Sequence, residues 1–185
     1  MGLRKASAYS KKYNRPYTRK SSTKSKSYIK TIPPHKLSKY RMGDIVGYLH
    51  GRFKFNVILV AGEKIMIRDN ALESARQFVH KVLETNLQGQ FYLEVCVVPH
   101  HILRENKVLT GAGADRMSSG MQRSFGAPVG KAAQMKENQR IILAAVNDEK
   151  AWRLVLDAYS KIRAKLPCHV RTRIEKKEPI LISNN

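Results

Sequence analysis

The first 42 residues contain thirteen lysines and arginines and no acidic residue; the first acid is Asp44. The rest of the 185-residue chain sets 22 basic residues against 14 acids, so this segment holds +13 of a formal net charge of +21. It is rich in Ser and Tyr, poor in aliphatic side chains, and runs through Pro33-Pro34. Such a stretch cannot bury enough apolar surface to offset its ordering entropy and is expected to be disordered on its own. Fully extended, it could reach about 140 Å. Charge on this scale opposes compaction until a polyanion neutralises it. Nucleic acid is the leading partner, because basic side chains release the counterions condensed on its phosphates. Arg4, Lys5, Lys11, Lys12, Arg15, Arg19, Lys20, Lys24, Lys26 and Lys30 are the candidate phosphate contacts. Tyrosines lie among them, Tyr17 and Tyr28 included, and basic residues with interleaved aromatics suit splayed bases. A merely solvated basic tail is the plainer alternative.

From about residue 43 the pattern changes. Hydrophobic residues make up 42% of the chain, enough for one core. Phe53, Phe55, Val57 and Leu59 alternate, as do Ile65 and Ile67, which predicts strands with a turn at Ala61-Gly62. Asn70 followed by Glu73 fits a capping box, and Leu72, Ala75, Val79, Val82 and Leu83 predict an amphipathic helix over 71–86. Phe91 to Val98 reads as a buried strand ended by Pro99. Arg140 to Val146 reads as another, with Asn147 or Asp148 capping the helix that follows. Trp152, Val155, Tyr159, Ile162 and Leu166 form that helix's apolar face, and Pro167 stops it. Val170, Thr172 and Ile174 alternate with Arg171 and Arg173 in a last strand, whose arginines read by default as a solvated face, with a contact to RNA as the secondary option. The expected fold is α+β, with two helices on one face of a mostly antiparallel sheet and hairpins between strands.

Residues 100–136 interrupt this order. Such a long loop is uncommon in a compact domain unless it is functional or disordered. It holds five glycines, Gly111, Gly113, Gly120, Gly126 and Gly130, and the bases Arg104, Lys107, Arg116, Arg123 and Lys131. Glycine permits close backbone approach, so basic side chains among glycines again suit a phosphate backbone. Met117, Met121 and Phe125 suggest a short helix within the loop whose apolar stripe docks on the core, with stacking against bases as the alternative. The expected domains are a basic extension (1–42), a globular domain (43–178) containing the loop, and a tail (179–185).

Other chemistries find little support. Gly111-Ala-Gly113 is followed by Arg116 where a dinucleotide fingerprint needs glycine. Gly126 to Lys131 is too short for a phosphate-binding loop, and Ala132 replaces its hydroxyl. Adjacent His100 and His101 would point to opposite faces, one packed and one at the rim, and they lack companions at metal-ligand spacing. Cys96 and Cys168 read as buried free thiols in a reducing compartment. The longest strictly apolar run, Ile141 to Val146, is far short of a bilayer span, and no secretory signal is visible. The expectation is a protein that is not an enzyme, with no cofactor, no metal, no membrane partner and no small-molecule substrate.

Gly111-Ala-Gly-Ala-Asp115-Arg116-Met117, Gly120-Met121, and Phe125-Gly126 with Pro128 and Gly130 closely resemble the central loop of the universal large-subunit ribosomal protein sixteen family, in its archaeal and eukaryotic form, called ten-e. Arg15-Pro-Tyr-Thr-Arg19, Lys26-Ser-Tyr-Ile-Lys30, Ile67-Arg-Asp-Asn-Ala-Leu-Glu73 and His101-Ile-Leu-Arg104-Glu-Asn-Lys107 agree in order, and the acid-free extension is archaeal in style. The resemblance runs from about residue 15 to 170. It implies an α/β-hammerhead domain that binds large-subunit ribosomal RNA near the 5S RNA, beside A-site tRNA and neighbouring subunit proteins, in the cytoplasm. It further implies a loop directed at the peptidyl transferase centre, with Arg104 and Lys107 on its rising limb. Gly111, Ala112, Gly113, Ala114, Asp115 and Arg116 would stand at its tip, and Arg123 and Gly126 on its descending limb. Two positions depart from the pattern: Ala127 stands where a base commonly follows Phe-Gly, and Gln122 precedes Arg123, which moves that base by one place. The alternatives are a substoichiometric RNA chaperone or assembly factor and, with less support, an enzyme acting on RNA.

Overall fold

The computed structural model describes residues 23, 25, 29, 31–105, 111, 112 and 126–176. Among them are eight strands and three α-helices: β1 (Arg41–Gly43), α1 (Ile45–Leu49), β2 (Phe55–Ala61), β3 (Ile65–Arg68), α2 (Asp69–Leu87), β4 (Tyr92–Val95), β5 (His101–Glu105), β6 (Ala127–Met135), β7 (Arg140–Val146), α3 (Glu149–Ile162) and β8 (Val170–Lys176). The α+β class expected from the sequence holds. The strands form two antiparallel sheets, one of order β1-β4-β7-β2-β8 and one of order β3-β6-β5.

That division corrects the expected single sheet with hairpins. The turn at Ala61-Gly62 does not fold β3 back onto β2; β2 pairs with β7 and β8, while β3 pairs with β6 in the other sheet. Of consecutive strands, only β5 and β6 pair with each other among the described residues. The long interruption is correspondingly shorter than expected, because both of its ends are strands. The strand expected over Phe91–Val98 is confined to Tyr92–Val95.

The helices follow the apolar spacing closely. Leu72, Ala75, Val79 and Leu83 of α2 and Ala151, Val155, Tyr159 and Ile162 of α3 enter one core, which also takes Val57, Leu59 and Ala61 of β2 and residues from both sheets. Each of the buried Leu, Val and Ile side chains contributes roughly 1.5–3 kcal/mol. The Tyr159 hydroxyl, deep in this core, donates to the Val57 carbonyl at 3.1 Å, so its burial leaves no orphan polar atom. The predicted capping box is not formed. Helix α2 starts at Asp69 with no side-chain cap at Arg68, and Glu73 turns instead to Arg76 and Ser38. Asp148 does occupy the position before α3, with no capping hydrogen bond.

Strand β2 departs from one-faced alternation, since Val57 to Ala61 are all buried. On its second face Ile58 and Val60 join Phe53, Tyr92, Leu143 and Ala145 in a smaller cluster against Tyr48. That cover comes from the segment around α1, which is capped by Asp44: its carboxylate accepts from the Gly47 amide at 2.7 Å. The chain reaches α1 through Gly43, whose φ is +81°. A Cβ there would overlap the Phe91 carbonyl oxygen, so the β1–α1 junction admits only glycine without rearrangement.

Candidate nucleic-acid interface

The basic extension joins the domain on α2. Leu37 and Met42 are buried in the main core. Between them Ser38 donates through its hydroxyl (3.1 Å) and its amide (3.3 Å) to the Glu73 carboxylate. Arg76 closes the network as a two-point partner of that carboxylate, Nε to Oε2 at 2.8 Å and an NH2 nitrogen to Oε1 at 2.6 Å, while also reaching the Ser38 hydroxyl and the Met42 sulfur. The Arg76 and Glu73 side chains are only 10% and 14% exposed. Hydrogen bonds from Arg76 hold the Glu73 carboxyl at about 2, against an ordinary 4.5, although partial burial opposes the shift. The pair fixes where the extension leaves the domain.

The second feature is the β5–β6 limb. Its ladder sets His101 opposite Ala132, Ile102 opposite Lys131 and Leu103 opposite Gly130; the register then shifts, so Arg104 faces Pro128 and Val129 is the extra residue. A bulge bends and twists a strand pair, and it lets Pro128, which has no amide to give, sit where β6 has lost β3 as a partner. Leu103, Val129, Ala132 and Met66 pack around the bulge. Arg104 stands two residues beyond Ile102, which faces Lys131, so strand alternation puts both cations on one side of the limb. Arg104 is exposed and Lys131 half-buried. His101 is buried and His100 exposed, in accord with the sequence reading. Burial, and then the nearby Arg104 charge, lower the His101 pKa and favour its neutral form.

Gly130 has φ outside the left-handed region, and a Cβ placed on it would meet nothing within 4 Å; the same holds for Gly111. Among the described residues nothing in the packing requires glycine at either place.

Of the residues singled out from sequence, Arg104 and Lys131 come together on the limb, and Gly111 and Ala112 are exposed beyond it. Arg4, Lys5, Lys11, Lys12, Arg15, Tyr17, Arg19, Lys20, Lys24, Lys26, Tyr28 and Lys30 lie outside the described residues. So do Lys107, Gly113, Ala114, Asp115, Arg116 and Arg123, and the helix expected at Met117, Met121 and Phe125. Cys96 is exposed and Cys168 half-buried, which corrects the expectation of two buried thiols; both are free. Among the described residues no helix is long and apolar enough to cross a membrane.

These features define a class: a basic α+β scaffold protein that presents cations from strands and from a bulged two-stranded limb. Comparison with known proteins narrows it. The family model described as "Ribosomal protein L16p/L10e" matches residues 14–173, and the chain belongs to that family. Its relatives include proteins named "Large ribosomal subunit protein uL16". That of Hyperthermus butylicus is 40% identical over 160 residues, covering 86% of this chain and 83% of that protein. The Caldivirga maquilingensis protein is 38% identical over 97% of this chain and 99% of its own length. The Methanococcus maripaludis protein is 38% identical over 98% and 99%.

Proposed function

We propose that this chain is a non-catalytic constituent of the large ribosomal subunit in the cytoplasm. It binds large-subunit ribosomal RNA near the 5S RNA and beside A-site tRNA, and its central segment is directed toward the peptidyl transferase centre. The observation that carries this reading is the β5–β6 limb, where two cations share one side and Gly130 sits in open space. A glycine that the described residues do not require suits a backbone that another molecule must approach closely. Arg104 and Lys131 supply the charge for a phosphate-bearing partner, and the names of the relatives agree. In this reading the extension, rooted at the Glu73–Arg76 pair, threads between RNA helices. The chemistry of peptide transfer belongs to RNA, and the limb positions.

The test is sedimentation of cell extract through sucrose at low and then high salt, with this protein quantified against a known large-subunit protein. One copy per large subunit, retained through the salt wash, is the expected result. Release at modest salt, or a ratio well below one, would instead identify a visiting chaperone or assembly factor. Deleting residues 1–30 should weaken incorporation in competition with the full chain while the domain still folds; equal incorporation would remove the role given to the extension.

A further inference from the structure

The limb and the extension leave one basic surface unused, on the face of the five-stranded sheet turned away from α2 and α3. Residues of β8 alternate across the sheet. Val170, Thr172 and Ile174 stand opposite Ala61, Leu59 and Val57 on the helix-covered side, whereas Arg171, Arg173 and Glu175 stand opposite Val60, Ile58 and Asn56 on the other. One row on this outer face crosses every strand: Arg173, Ile58, Leu143, Glu94 and Arg41. In the row beside it Val60 stands between Arg171 and Arg140. Three arginines thus gather at the β8 margin.

The carboxylates of this face are already engaged. Glu94 accepts from Arg41 Nε at 2.9 Å and from the Tyr92 hydroxyl at 3.0 Å. Glu175 lies 3.9 Å from Arg140, an exposed and long pair. No ion pair to Arg171 or Arg173 is found among the described residues, and both side chains are exposed. Among the described residues strand β8 is also the sheet's edge, bonded to β2 alone, so its outer side presents backbone N–H groups with no strand partner there.

We propose that the β8 margin, with Arg171 and Arg173 as its principal cations and Arg140 beside them, is a further RNA-backbone site, separate from the extension and the central limb. Side chains two residues apart on a strand are spaced by about 7 Å, so the two guanidiniums can engage neighbouring phosphates of one strand. Guanidinium binds phosphate oxygens with two parallel hydrogen bonds, and the free edge amides can add further donors. Charges on an edge strand also discourage pairing with another protein strand, which disfavours a peptide as the occupant. The proposal rests on the ribosomal reading above and adds to it a face and its ligand chemistry.

The experiment measures binding of the full chain to purified large-subunit ribosomal RNA with its 5S RNA across a salt series. Arg171→Ala/Arg173→Ala is compared with Lys81→Ala/Lys161→Ala, which removes equal charge from exposed positions on α2 and α3. The β8 pair should reduce the salt slope by about two, close to one for each lost phosphate contact, while the helix pair leaves it unchanged. Arg171→Lys/Arg173→Lys should restore most of the slope, and thermal melts check that all variants fold. A photoreactive residue at position 173 in the full chain should attach to RNA. An equal fall in both alanine pairs, no fall in the β8 pair, or no RNA attachment from position 173 would overturn the proposal. Failure of the wild-type chain to bind this RNA would overturn the ribosomal reading itself, a separate outcome.

Discussion

Two glycines, one in each sheet, set the scaffold apart from the surface it offers. Gly43 sits at the β1–α1 junction with φ +81° and the Phe91 carbonyl where a side chain would go. Its identity is dictated from inside the molecule. Gly130 lies in β6 opposite Leu103, with no such φ and open space around it. Among the described residues nothing dictates it, and a strand interior is somewhat weaker for having it. A residue that costs stability and serves no internal purpose is best explained by what meets it from outside. The five-stranded sheet is thus closed around its own needs at that junction, whereas the proposed function makes the three-stranded sheet the one that meets a partner.

The largest effect should come from Gly43→Val, which forces a branched side chain into a left-handed backbone and onto a carbonyl. A loss of at least about 3 kcal/mol is expected in denaturant unfolding; near-normal stability would show that the junction can relax and would blur the contrast. Glu73→Ala comes next. It leaves Arg76 nearly buried without its carboxylate, at a cost of about 3 kcal/mol. The same pair predicts a pH response. Because the folded Glu73 carboxyl is held at about 2, below its ordinary 4.5, its contribution is complete above about 4.5 and is lost as pH falls from there toward 2. Glu73→Gln should flatten stability across that window, and an unchanged acid limb would remove the pair from its anchoring role. The smallest effect on folding, and the most telling, is expected from Gly130→Ala. Stability should stay within about 0.5 kcal/mol of wild type, or rise slightly, while incorporation into large subunits falls severalfold in competition. Full incorporation would erase the distinction between the two glycines.

The sequence exposed the parts of this fold whose periodicity is set locally. The helix expected over 71–86 became Asp69–Leu87, and the strand at Arg140–Val146 appears with those bounds. What stayed hidden depended on distant partners. Ala61-Gly62 looks like a hairpin turn whether the next strand returns or crosses to another sheet, and only the pairing of β3 with β6 decides it. Glu73 looked like a capping residue because its rival partners, Arg76 and Ser38, had no claim visible from spacing alone. Strands β5 and β6 look like loop in the sequence because Pro128, Gly130 and Lys131 are punctuation by composition; a bulge and a lost neighbour strand are what accommodate them. Arg104 and Lys131 were named from residue type, but their shared side of one limb needed the register. For Arg171 and Arg173 a solvated face is the default from spacing and an RNA contact only a secondary option; the ladder adds that they stand beside Arg140.

The position of β2 has a consequence for how the chain is made. Its two neighbours, β7 and β8, comprise residues 140–146 and 170–176, so this strand acquires each of its flanks only long after it is itself made. At roughly 5–20 residues per second, a newly made β2 waits several seconds or longer for its partners to be synthesised. Throughout that interval both of its edges are open, and the apolar segment Val57–Ala61 has no sheet to enter. Closure of the larger sheet therefore waits on strands made well after β2, and its slow step is set by long sequence separation rather than by weak local preference.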